Sequence, residues 1–341
     1  MRLPMANGKR ALVLGVTGQD GSYLAEILLE KGYEVHGMAR RSATGNTRNI
    51  QGLLDDGDVL NKRFFLQRGD LADVGSLYRI VHDVKPHELY NEADQDHVSW
   101  SYAIPDYSYN ITGAAVGRIL EVIRQTDKTI RYFQPVSSNI FGKPSEIPQR
   151  ETTSFNPQSP YAASKVLALL LVRHYRETYG LFAVGGILYN HESPRRTDEY
   201  VTRKITKAVV HIVAGKQDKL TLGDISARID WGYAREYMET AWAALQQPEA
   251  KDYIIGSGET HTVEEFAKEA FAVVGLDVAK YLSFDKSLLR PSTTGLLVGD
   301  VSRARATLGF GPKTRFNDLV AMMVEADLKE LGLSLPLKRH A

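Results

Sequence analysis

Ala11-Leu12-Val13-Leu14 runs directly into Gly15-Val16-Thr17-Gly18-Gln19-Asp20-Gly21, and the reading of this junction decides the fold. Four apolar residues ending at glycine read as a buried strand. Ser22 to Glu30 reads as the helix that follows. A glycine-rich turn between strand and helix is a phosphate cradle: backbone N–H groups and the helix start both favour an anion. Gly15 permits the tight turn, Gly18 lets backbone approach a pyrophosphate, and Gly21 lets the helix lie close on the sheet. Thr17, Gln19 and Asp20 complete the expected cofactor-binding turn. The spacing is Gly-x-x-Gly-x-x-Gly.

Working outward, Tyr33 to Met38 reads as a second strand. An NAD site usually offers an acid after this strand, for the ribose hydroxyls. Here the residues are Arg40, Arg41 and Ser42. Two guanidiniums and a hydroxyl suit a 2′-phosphate, so NADP is expected, with NAD as the alternative. Phe64 to Leu66 reads as a third strand, followed by Asp70, placed to meet an adenine ring. Glu88 to Asn91 and Thr129 to Val136 read as two more. Strands alternating with helices predict an α/β protein with a doubly wound parallel sheet of the Rossmann type. The expected division is a dinucleotide-binding domain over 1–185 and a smaller substrate-binding lobe over 186–341, with some segments returning to the sheet. In that lobe Thr262 to Val274 and Phe316 to Leu331 show helical apolar spacing and are expected to close one side of the cleft.

Chemistry is expected at Ser159-Pro160-Tyr161-Ala162-Ala163-Ser164-Lys165. Ser159 can cap a helix, Pro160 suits its first turn, and Gly180 can end it. Tyr161 and Lys165 then share one face, a turn apart. An ammonium favours the neighbouring phenolate, so Tyr161 is expected to deprotonate easily and serve as a base toward a sugar hydroxyl. Ligands bind at the carboxyl ends of parallel strands, which brings Ser137 to face Tyr161.

The rest of the composition excludes more than it assigns. The chain has 341 residues, 43% hydrophobic and 24% charged, and a net charge of +1. No bulk charge favours nucleic acid or an anionic membrane. Cysteine is absent, which removes disulfides and thiol catalysis. No run approaches a membrane span, and Met1 to Arg10 lacks the apolar core of a signal peptide. A cytoplasmic homo-oligomer, dimer or tetramer, is expected, acting on a small sugar and holding no metal.

The glycine turn, Ser137, and Tyr161 with Lys165 together resemble the extended short-chain dehydrogenase/reductase family. Gly15 to Leu24, Gln149 to Thr153, Val201 to Ile205, Gly186 to Arg196 and Leu308 to Pro312 narrow the resemblance to the GDP-mannose 4,6-dehydratases. The resemblance implies oxidation at C4 of a sugar by a bound nicotinamide cofactor, loss of water across C5 and C6, and hydride return to C6. It implies that Tyr161 is the base at C4, that Lys165 holds the nicotinamide ribose, and that Ser137 bonds the C4 oxygen in place of a threonine. It implies cofactor contacts at Asp70, Leu71, Gln95, Tyr107, His191 and Arg196. Asp94, Asn190, Lys204, Arg228 and Arg290 are expected around the substrate.

Four departures stand out. Asn139 occupies the place of a glutamate that takes the C5 proton, and an amide does not titrate. Ile229 replaces a phosphate-gripping arginine, with Arg228 one residue away. Thr293 replaces a glutamate. Asn91-Glu92-Ala93-Asp94-Gln95-Asp96-His97 carries three acids where the family's Asn-Leu-Ala-Ala-Gln-Ser-His has none. The lost cation and the added carboxylates favour a sugar without a diphosphate, such as a nucleoside or another glycoside, and make Asp96 the expected substitute base. An epimerase or ketoreductase on the same scaffold is the alternative, since it needs Ser137, Tyr161 and Lys165 but no acid at position 139. A non-catalytic cofactor-binding protein is a third reading, which retention of those three residues opposes.

Overall fold

The computed structural model describes residue 5 and residues 7–43, 45–288 and 294–335. Six strands lead the fold: β1 (Arg10–Leu14), β2 (Glu34–Ala39), β3 (Phe64–Arg68), β4 (Glu88–Asn91), β5 (Arg131–Ser137) and β6 (Ala183–Leu188). With the strand Tyr253–Ile255 they form one seven-stranded sheet, ordered Tyr253–Ile255, β6, β5, β4, β1, β2, β3. Every neighbouring pair is parallel. The order reverses between β1 and β4, the position where an open α/β sheet binds its ligand.

Side chains alternate across each strand, and both faces are covered. Ala11 and Val13 join the core on one face, and Leu12 and Leu14 join the core on the other. Tyr90 and Phe133 follow the first pair, Leu89 and Tyr132 the second. A third core fills the lobe, where Val263, Phe266 and Ala270 of one helix, with Val274 just past its end, meet Leu319, Val320 and Met323 of another. The expected domain division at 185/186 falls inside β6, and the strand Tyr253–Ile255 returns to the sheet.

The helix α1 (Gln19–Glu30) begins three residues earlier than the sequence suggested. Gly18 is its N-cap, and Gly21 lies in its first turn. A Cβ on Gly21 would sit 2.4 Å from the Gly15 carbonyl oxygen. That glycine serves the close helix packing expected of it. The helix Pro160–Tyr179 has the expected ends: the Ser159 hydroxyl accepts from the Ala162 N–H at 3.1 Å, and Gly180 is left-handed at φ +69°. Among the described residues no helix is long and apolar enough to cross a membrane.

Candidate active site

A cleft of about 380 Å³ opens at the switch point, and its walls include Ser137, Asn139, Tyr161 and Lys165 together with the glycine turn. A wider cavity of about 500 Å³ lies elsewhere, against Thr152, Phe155 and Arg303. Its Arg173 and Arg176 are already held by Asp252 at 2.7 and 2.9 Å, so it offers no free charge from that pair.

The turn is shaped by what glycine lacks. Gly15 has φ +76°, and a Cβ there would lie 2.6 Å from the Glu92 carbonyl oxygen and the Ala93 nitrogen. A Cβ on Gly18 would meet only the Gly15 oxygen, at 3.4 Å, so the space above Gly18 is open. An open floor of glycine backbone at a helix start fits a pyrophosphate, and the residues present fit a nicotinamide dinucleotide. Thr17, Arg40, Asp70, Leu71 and Tyr107 line the same cleft. Arg40 Nη1 donates to the Tyr107 hydroxyl at 3.3 Å. Arg41 and Ser42 are exposed and do not line it.

His191 locks the turn in place. Its Nδ1 lies 2.8 Å from the Tyr189 carbonyl and its Nε2 lies 2.8 Å from Asp20 Oδ2. A carbonyl on one side and a carboxylate on the other call for N–H on both nitrogens, the imidazolium. Burial alone would lower the pKa of His191, but the Asp20 charge and hydrogen bond turn the net shift upward. Burial alone would raise Asp20, but His191 and Arg196 hold it below its ordinary value. The Ser193 hydroxyl donates to Gln19 at 2.8 Å, and Arg195 reaches Ser22 at 3.0 Å and Glu26 at 2.6 Å. The segment from His191 to Arg196 is thereby fastened to α1.

At the chemical end, Ser137 Oγ accepts from the Asn139 backbone N–H at 3.2 Å and from Asn139 Nδ2 at 3.0 Å. The serine proton is therefore directed away from Asn139, and the Ser137 hydroxyl is close enough to Tyr161 to favour its phenolate slightly. Lys165 Nζ donates to the Pro135 carbonyl at 3.0 Å and lies 2.5 Å from Asp94 Oδ2. This corrects one expectation: the Tyr161 phenol is not easy to deprotonate. Burial pushes it up, Lys165 pulls it down, and Asp94 and Asp96 push it up again, to about 12.

Asp96 stands at the exposed rim, where its Oδ2 accepts from the Tyr200 hydroxyl at 2.8 Å and lies 3.8 Å from Arg196. Arg196 in turn covers the Tyr200 ring at 3.4 Å. Asn190 also faces the cleft. Three expected residues do not. Gln95 is buried, donating to the His97 carbonyl and accepting from Ser108, both at 2.9 Å. Lys204 is exposed on the helix Val201–Val213. Arg228 is spent on Thr260, at 2.6 Å to its carbonyl and 3.1 Å to its hydroxyl, so it does not stand in for the absent arginine. Neighbouring Ile229 packs on the lobe core. Arg290 and Thr293 lie outside the described residues. The helices Val263–Val273 and Phe316–Glu330 fill the lobe and supply no lining side chain among the described residues. In the same residues no group of three acids, histidines or cysteines is arranged to hold a metal.

Sequence reasoning passed over Thr112, Arg195 and Tyr200 as contributors to the site. Thr112 sits in the irregular helical turn Tyr109–Ala114, which no local pattern announces. Glu92 was visible only as an unusual acid. Its Oε1 is buried without a hydrogen-bond partner among the described residues. Burial, Asp20 and Asp94 raise its pKa well above the ordinary value, against a smaller pull from Lys165.

The model of the GDP-mannose 4,6 dehydratase family matches residues 12–323. GDP-mannose 4,6 dehydratase 1 of Arabidopsis thaliana is 48% identical over 326 residues, covering 94% of this chain and 90% of that protein. The Homo sapiens GDP-mannose 4,6 dehydratase is 40% identical over 339 residues, covering 94% and 91%. A dTDP-glucose 4,6-dehydratase from Streptomyces venezuelae, solved with NAD, shares the fold at TM-score 0.82 and 24% identity, covering 96% of this chain and 100% of that one. Family match, relatives and fold agree, and the chain belongs to the GDP-mannose 4,6-dehydratase family, sugar dehydratases of the extended short-chain dehydrogenase/reductase type.

Proposed function

We propose that this protein is a sugar dehydratase that keeps a nicotinamide cofactor, NADP in preference to NAD, as a recycled oxidant, and that its sugar carries no diphosphate. The cofactor supplies hydride acceptance and return. Tyr161 moves the proton at the C4 oxygen, and Ser137, oriented by Asn139, bonds that oxygen. Lys165 has one N–H left after Asp94 and Pro135, and that donor is offered to the nicotinamide ribose. Asp96 takes the C5 proton that the Asn139 amide cannot take. Asp96 is near enough to Tyr161 to act on the phenol electrostatically, which supports its reach into the cleft.

The observation that carries the substrate reading is the turning of Arg228 to Thr260, beside an Ile229 that packs, partly buried, against the lobe core. It leaves Asp96 without that cation, as the cleft carboxylate that neither Lys165 pairs, as it does Asp94, nor burial drives toward the neutral acid, as it does Glu92. A diphosphate about 4 to 6 Å from one such carboxylate meets repulsion on the order of 1 kcal/mol or more in a partly dry site. The test is mass spectrometry of products from GDP-mannose, free nucleosides and simple glycosides. A product lighter by one water from a sugar lacking diphosphate supports the reading. Turnover of GDP-mannose alone refutes the substrate half. A product of unchanged mass and inverted configuration favours the epimerase, the reading that Asn139 supports.

A further inference from the structure

Lys165 is the residue whose charge should ease the ionisation of Tyr161, and it is already engaged. Its ammonium lies 2.5 Å from Asp94 and 3.0 Å from the Pro135 carbonyl. The Lys165 side chain is 5% exposed and that of Asp94 is 13% exposed. In so dry a place the carboxylate offsets part of the ammonium's field, so the pull of Lys165 on its surroundings is reduced though not removed. The nitrogen lies 5.7 Å from the centre of the Tyr161 ring.

Asp94 does not drift into this position by chance. Thr112 Oγ1 donates to its other oxygen, Oδ1, at 2.5 Å. Thr112 is 3% exposed. It belongs to the turn Tyr109–Ala114, which has the wide π-helical spacing often found at functional sites. The next residue, Gly113, brings that turn close to the catalytic helix. A Cβ there would lie 3.4 Å from the Ser164 carbonyl and 3.1 Å from Leu167. A close approach at Gly113 thus delivers the threonine hydroxyl to Asp94, and Asp94 to Lys165.

We propose that Asp94, clamped by Thr112, is a positioning residue that fixes Lys165 and sets the pH at which Tyr161 releases its proton. The inference rests on the reading of Tyr161 as the group that moves the C4 proton. Every charged neighbour bears on it. Lys165 comes from the same helix, and Asp94 and Asp96 from the loop after β4. Tyr200, with Arg196 over its ring, comes from the segment before the helix Val201–Val213. Glu92 faces Lys165 and Asp94 rather than Tyr161. Its carboxyl is driven toward the neutral acid by burial, so Asp94 is the principal negative charge against Lys165. Burial together with these carboxylates raises the pH at which Tyr161 becomes the phenolate that takes the proton of the C4 hydroxyl. Removing Asp94 leaves an unpaired ammonium beside the phenol, and both protons of the coupled pair then leave more readily.

The test needs no substrate. The near-ultraviolet rise of phenolate absorbance is followed against pH in the purified protein, and the same curve for Tyr161→Phe is subtracted. The subtraction is repeated for Asp94→Ala and for Asp94→Asn, each against its own Tyr161→Phe double variant. The Asn variant keeps the size of the side chain and guards against misfolding of the Ala variant. The Tyr161 step is expected to move to lower pH by about one unit or more in both. An unmoved step, or one at higher pH, overturns the proposal. The acid limb of turnover, on whichever sugar the protein accepts, should move the same way. If no sugar is dehydrated, the dehydratase reading fails while the titration still decides the role of Asp94.

Discussion

Two loops face each other across the cleft, one after β1 and one after β4, and they are built on opposite principles. The loop Gly15–Gly21 works by backbone: Gly15 and Gly21 are glycines because any side chain would collide, and Gly18 is open toward the ligand. The loop Glu92–His97 works by charge, with Asp94 on Lys165 and Asp96 under Tyr200. They run so close that a Cβ on Gly15 would lie 2.6 Å from the Glu92 carbonyl oxygen. The contrast teaches that the holding of the cofactor and the tuning of the reaction are separable in this chain. One depends on shape, which few residue types permit. The other depends on which side chains pair.

The largest effect should come from Tyr161→Phe, which leaves both loops intact. Oxidation of the sugar should fall ~10²–10⁴-fold with cofactor binding nearly unchanged, measured by turnover and by titration of the cofactor. A variant above about a tenth of wild-type turnover removes Tyr161 from the chemistry. Asp96→Asn should slow elimination by roughly 10²-fold, at the low end for a general base, while C4 oxidation proceeds. Reduced cofactor should then build up on the protein, visible in the near ultraviolet; normal turnover would free Asp96 from its assigned role.

Gly15→Ala tests the shape-built loop. A non-glycine residue at positive φ costs about 1–3 kcal/mol before its collision with Glu92 is counted, and chemical denaturation should show that loss. Gly18→Ala should leave stability almost unchanged and weaken cofactor binding instead. Equal loss of stability in the two variants would erase the distinction between them. The smallest effect is expected at the exposed Arg40. Arg40→Ala should weaken NADP by about 1.5 kcal/mol, the lower end for a bond to a charged group, and weaken NAD less. Equal losses for both cofactors, measured by titration, would withdraw the 2′-phosphate assignment.

The same contrast explains what the sequence made legible. The sheet, the turn and the helix of Tyr161 follow from local rules: apolar runs, a serine cap, a left-handed glycine end. The start of α1 was misplaced because the helix begins inside the glycine run, at Gln19, while the packing role read for Gly21 agrees with its close approach to Gly15. The proton affinity of Tyr161 was misread because it hangs on Asp94, and Asp94 on Thr112 from a separate helical turn. Arg228 was misjudged for a related reason: its sequence neighbour is the family's cation position, but its guanidinium closes on Thr260 instead. Such pairings are properties of the folded chain, and no spacing rule carries them.

The central claim is that hydride leaves and returns within one sugar. Its most direct measurement uses an accepted sugar with deuterium at C4. The account predicts a product one water lighter that carries the deuterium at C6 of the same molecule, with the bound cofactor oxidised before and after. Deuterium released to solvent, or left on reduced cofactor at the end of turnover, would contradict it.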